Sequence, residues 1–158
     1  MEELIAYRQV LLAALENIID ELTHIVKVTP ISVWHQPYGL DTHTPHITLA
    51  HLRELEAEWF AVQLPRLQHE TTPVLPICSK QDWIGNHYQP DEAIEDIVDE
   101  FSNLRKHELT WLRTLSPEDW SRIARHPWYG LHTLQWWVEH QLDLSHQHLQ
   151  KLAAVSNK

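Results

Sequence analysis

The sequence predicts an all-α protein built as a four-helix bundle. Glycine is rare, with 3 in 158 residues, while Leu, Ala, Glu and Gln are plentiful, a balance that favours helices over turn-rich β folds. Apolar residues recur at spacings of three and four over four long stretches, the signature of amphipathic helices. The prolines fall between those stretches, where a missing N–H does no harm. The chain, residues 1–158, is expected to form one helical domain, and this length can bury about 70% of the unfolded surface.

The first helix spans about residues 2 to 27, with Leu4, Leu11, Leu15, Ile18, Leu22 and Ile25 on one stripe. Thr29-Pro30 ends it, and Pro30, Pro37, Gly39 and Pro45 mark a connecting loop. Thr44 and Pro45 suit the N-cap and first turn of a second helix over about 46 to 64, closed by Pro65. A long loop between helices 2 and 3, residues 65 to 90, shows no periodicity. Loops of that length are usually functional or flexible. Asp91-Glu92 open the third helix at its positive end, and its stripe runs from Ile94 through Phe101 to Leu115. Ser116-Pro117 start a short helical piece reaching Ile123, and a turn from His126 to Gly130 leads into a last helix over about 132 to 154.

Composition narrows the partners. The formal net charge is −10, which repels phosphate backbones and anionic lipid, so neither nucleic acid nor a membrane surface is expected. No apolar run is long enough to span a bilayer, and Glu2, Glu3 and Arg8 interrupt any leader-like segment. A soluble, cytoplasmic protein is expected. The single Cys78 excludes an internal disulfide and a multi-cysteine zinc site. It lies after Pro76 with no basic cluster beside it, which favours an inert thiol over a nucleophile. Trp34, Tyr38, Trp83 and Tyr88 fall in the two loops and either line a small-molecule pocket or cap the end of the bundle. Adjacent Trp136 and Trp137 cannot both face one core, which hints at a homodimer.

Thirteen histidines in one chain of this size ask for an account. At 100° per residue, His148 lies within roughly 60° of the centre of the last helix's apolar stripe, whereas His140 falls roughly 140° away and His146 roughly 100° away. His51 lies between Ile47 and Leu55 on the apolar side of the second helix. The best inward pair is His51 with His148. Zinc, nickel or iron held by neutral imidazoles would explain histidine on such a face; the competing account is a core histidine bonded to a carboxylate or backbone group. A metal held this way should be lost below about pH 6.5, near the ordinary histidine pKa. Glu56, roughly 140° around the helix from His51, reads as a solvated charge rather than a ligand.

Three stretches together resemble the DinB / YfiT-like superfamily over nearly the whole chain. His51-Leu-x-x-x-Glu-x-x-Trp-Phe60 is similar to that family's second-helix motif with its first metal histidine. Leu115-Ser-Pro-Glu-Asp-Trp120, and His126-Pro-Trp-Tyr-Gly130 with Thr133-Leu134, resemble its approach to the last helix. The resemblance implies a four-helix bundle, often dimeric, with three histidines holding a divalent metal, two of them from a His-x-x-x-His pair in the last helix. Here that pair is broken. Without gaps His148 takes the final position and Leu144 the one before; with one turn deleted, His140 takes the first and Leu144 the second. The metal residues implied are His51 and His148, with His140, His107 or a histidine of the His43–His46 loop as third ligand, or none. The activity implied is that of a divalent-metal-dependent enzyme, a thiol-dependent S-transferase using a low-molecular-weight thiol or a hydrolase-like protein. A metal-free binding or dimerisation module is the alternative, favoured by Leu144.

Overall fold

The structure is a computed structural model that describes residues 1–40 and 42–156. Its frame is four long helical stretches: α1 (Glu2–Val28), α2 (Pro45–Glu54) with its continuation, α6 (Ile94–Leu112) and α8 (Leu134–Ser156). α1 and α2 each pack along α6 and α8, which places α1 and α2 at opposite corners. The predicted stripes make the core. Leu15, Phe101, Leu109 and Trp137 are fully buried between the helices.

α2 begins as expected. Thr44 Oγ1 accepts the Ile47 N–H at 3.2 Å and Pro45 occupies the first turn. The helix then departs from α geometry, running into a π-helical turn, Leu55–Phe60, before α3 (Ala61–Gln63) and α4 (Arg66–His69). The widened turn lets neighbouring Trp59 and Phe60 both reach the interior, at 8% and 2% exposure.

The long loop is less irregular than its composition suggests. α5 (Lys80–Asn86), capped by Ser79, lies within it and anchors itself through buried Trp83. Trp34 and Trp83 join Ile18, Leu22, Ile47 and Ile97 in one apolar cluster, so these loop aromatics close the end of the bundle. α6 starts at Ile94 rather than Asp91. Glu92 ahead of it is drawn away by Arg53, whose two guanidinium nitrogens donate to its carboxylate at 2.6 and 2.7 Å.

The all-α expectation needs one local correction. α7 (Pro117–Trp120) stops short of Ile123, and a two-stranded antiparallel hairpin follows, β1 (Ile123–His126) with β2 (Gly130–Thr133). Gly130, at φ +79°, opens β2 in the left-handed conformation that glycine adopts without strain. The far edge of β1 holds the preceding loop: the Arg125 N–H donates to the Pro73 carbonyl and the Leu75 N–H to the Arg125 carbonyl, at 2.9 and 2.8 Å. α8 then begins at Leu134, with Trp137 buried and Trp136 stacked between His132 and His140. Trp136 therefore finds its partners within the chain. Among the described residues, no helix is long and apolar enough to cross a membrane.

Candidate metal centre

His51 and His148 meet. His51 Nδ1 and His148 Nε2 are 3.1 Å apart, one on α2 and the other two turns from the end of α8. Their protons can be assigned from the partners. The Leu144 carbonyl has no proton to give, so His148 Nδ1–H donates to it, at 2.7 Å. That leaves a lone pair on His148 Nε2, which accepts from His51 Nδ1–H. The chain of bonds ends at His51 Nε2, a buried acceptor with no partner. Such an orphan costs free energy unless something external meets it.

Burial keeps the pair neutral. It pushes the His51 pKa down to about 3, with the neighbouring His148 and the charges of Lys80 and Lys151 acting in the same direction. His148 is lowered too, chiefly by burial. Neutral imidazoles are the form that binds metal. Two nitrogens 3.1 Å apart also match the separation of two ligands on one ion at 2.0–2.1 Å each with an angle near 100°. The donor set therefore fits two positions of a divalent ion, and His51 and His148 would hold it.

A third ligand does not join them. Among the described residues, no group of three or more His, Cys, Asp or Glu side chains is placed to hold one metal ion. His140 stands eight residues before His148, about 12 Å along the helix axis. Its ring packs on Tyr129 and Trp136 instead. The other histidines named from the sequence are accounted for separately. His46 accepts from the Tyr88 hydroxyl and donates to the Glu92 carbonyl, at 2.6 and 2.8 Å. His107 borders an open groove along α6 with Trp111. His43 is near enough for its charge to act on His51, but the two belong to no three-ligand group.

The pair forms part of the wall of a chamber of about 170 Å³. Trp59, Phe60 and Leu144 line it from the helices, His126 and Tyr129 from the hairpin, and Cys78 from the loop held against β1. The hairpin is thus part of the site, which the sequence pattern did not show. His126 Nδ1 accepts the N–H groups of Trp128 and Tyr129 and so shapes the turn. Burial raises the Cys78 pKa, with the Glu54 charge adding to the effect, so the thiol is the protonated, weakly nucleophilic form.

A second polar assembly lies inside the bundle. Arg105 donates to both carboxylate oxygens of Glu56, at 2.8 and 3.0 Å, to the Leu15 carbonyl and to Ser145 Oγ. Gln141 Nε2 bridges Glu56 and Glu108, at 2.9 and 2.8 Å. Glu56, far from being a solvated charge, is 1% exposed. Burial opposes its charge most strongly, but the Arg105 charge and the hydrogen bonds from Glu108, Arg105 and Gln141 together outweigh it and hold the Glu56 pKa below the usual carboxylate range. Burial and the Glu56 charge drive Glu108 well above that range. Glu108 is accordingly a neutral acid, and one proton serves two carboxyls.

The fold has relatives. The family model of the DinB superfamily matches residues 3–152. The chain belongs to the DinB superfamily. Among solved structures, YfiT from Bacillus subtilis superposes with a TM-score of 0.86 at 19% identity, covering 94% of this chain and 85% of that one. YfiT is described as a probable metal-dependent hydrolase with an unusual four-helix bundle topology. No curated protein matches the chain. The likeness to YfiT establishes for this DinB-superfamily chain the four-helix architecture alone.

Proposed function

We propose that the chain is a divalent-metal-dependent enzyme whose ion is held by His51 and His148 at the wall of the aromatic chamber. The observation that carries this reading is the pair itself: two neutral imidazoles from different helices with nitrogens 3.1 Å apart. The description of YfiT as a probable metal-dependent hydrolase supports the class. When bound, the ion supplies Lewis acidity that lowers the pKa of water or of a low-molecular-weight thiol. The Leu144 carbonyl fixes the His148 tautomer, and the Trp83 ring packs 5.4 Å from that of His51. Leu144 offers no ligand where it lines the chamber beside the pair, so an ion held by His51 and His148 would have positions left for a nucleophile or an electrophile. Thiol transfer and hydrolysis are the two reactions of this form.

The test is zinc, nickel and iron content in untagged protein, compared with His51→Ala and His148→Ala. Near-stoichiometric metal that vanishes in both variants supports the reading; full occupancy in either removes that residue from the site. The competing reading, a metal-free binding module, rests on Leu144 and on the lack of a three-ligand group among the described residues. It requires a melting temperature indifferent to chelator and to added metal.

A further inference from the structure

Among the described residues, Arg8 is the buried arginine without an acid. On α1 it is 9% exposed, and its guanidinium lies over the Trp120 ring, 5.3 Å from the centroid. Arg105, also buried, holds Glu56, and Arg53, Arg66, Arg113 and Arg122 each meet a carboxylate. Arg8 meets none. Its hydrogen bond runs from Nε to Gln135 Oε1, at 3.0 Å. A guanidinium withdrawn from water without a counter-charge costs free energy, and its place on an indole offsets only part of that. Nη1 and Nη2 make no bond within the described chain, and neither is sealed from solvent.

Arg8 and Trp120 both line a groove of about 310 Å³ between the start of α1 and the segment joining α6 to α7. Ile5, Leu12, Leu112 and Leu115 give it apolar walls, and no Asp or Glu lines it, in a chain of net charge −10. Arg113 lines it too but is already bonded to Glu16, at 2.9 Å. The volume is in the range of small-molecule sites. We propose that this groove binds a small monocarboxylic acid with an apolar chain, its carboxylate end-on across Arg8 Nη1 and Nη2 and its chain along Leu12, Leu112 and Leu115. Two parallel N–H donors match the two oxygens of a carboxylate. Trp120 and Gln135 hold the fork in place beforehand, so little ordering remains to be done on binding. A dianion such as phosphate brings more charge than one guanidinium cancels, and the acidic surface repels it. The groove is separate from the histidine pair and does not depend on it. Gln135 stands in the first turn of α8, and His148 follows about 20 Å further along the helix axis.

Octanoate is the probe, titrated calorimetrically on the purified protein against octanamide, octylamine and acetate. It should bind at one saturable site about tenfold or more tighter than octanamide, which has the same chain and no charge. Octylamine should be weaker still, and acetate, which lacks the chain, weaker than octanoate. Arg8→Met keeps an apolar stem on Trp120 and should abolish the advantage of octanoate over octanamide. Ile5→Glu, at an exposed position one turn before Arg8, brings a carboxylate to the groove. It should weaken octanoate about tenfold in a protein that melts like the wild type. Absence of octanoate binding, binding no tighter than that of octanamide, or binding that neither substitution changes overturns the proposal. So does octanoate binding that is lost on chelation or in His51→Ala, which would put the carboxylate on the ion instead. Self-association that Arg8→Met abolishes, in protein that binds no octanoate, also overturns it, because the groove would then receive a carboxylate of a second copy.

Discussion

Protonation of His51 and the identity of residue 144 govern the site at the scale of single residues. Burial holds His51 neutral down to about pH 3, whereas in the unfolded chain it titrates near 6.5. The folded state therefore binds fewer protons between those values. Its contribution to stability is complete above about pH 6.5 and is lost as the pH falls through the folded value. The melting temperature should decline between pH 6.5 and 3 more steeply in the wild type than in His51→Phe, measured by calorimetry at matched ionic strength. Metal, once bound, should persist below pH 6.5, contrary to what an ordinary histidine pKa suggests. Occupancy after dialysis across pH 7 to 4 checks this. Leu144 stands one turn before His148 on the chamber wall, so Leu144→His restores a His-x-x-x-His pair. Structural zinc binding of 10–16 kcal/mol over four ligands is about 3 kcal/mol per ligand, so zinc affinity should rise roughly a hundredfold. An unchanged dissociation constant would show that residue 144 does not face the ion.

Helices were the legible part of this chain, and interruptions within them were not. The stripes from Leu4 to Ile25 and from Ile94 to Leu115 gave α1 and α6, which end at Val28 and Leu112, because periodic burial leaves a mark at every third or fourth residue. His51 and His148 were legible for the same reason: each interrupts an apolar face at a calculable angle. The π-helical turn leaves no such mark, since it depends on where Trp59 and Phe60 find room. Glu56 was misread because α2 is buried on more than one side. His51 faces Trp83 and α8, while Glu56, about 140° around, faces Arg105 on α6. α5 and the hairpin, of 7 and 4 + 4 residues, are too short for periodicity to register.

Across the whole molecule, the Arg105 assembly ties all four long stretches together: Leu15 from α1, Glu56 from the π turn, Glu108 beside Arg105 on α6, and Gln141 and Ser145 from α8. Removing Arg105 alone, as in Arg105→Met, strands a buried carboxylate and should cost about 3–5 kcal/mol by denaturant titration. Glu108 acts in the opposite direction. Its folded pKa lies well above the unfolded value, so the folded state retains a proton that the unfolded chain releases, and stability falls as pH rises above the unfolded pKa of about 4.3. Glu108→Gln keeps the shape and the bond from Gln141 without the proton. Its melting temperature should exceed that of the wild type at pH 8 and match it near pH 4; the reverse order would mean that Glu108 is ionised in the bundle.

The loop that carries Cys78 to the chamber is a third strand in all but length, fastened to β1 through the amides of Leu75 and Arg125. Those two hydrogen bonds make its position a matter of kinetics as well as of shape. Fraying of the hairpin edge would free the loop and with it the Cys78 side of the chamber wall, and the two amides would report how often that happens. Their deuterium uptake should be faster than that of amides in the middle of α1; equal protection would show that the loop leaves β1 only when the whole bundle unfolds.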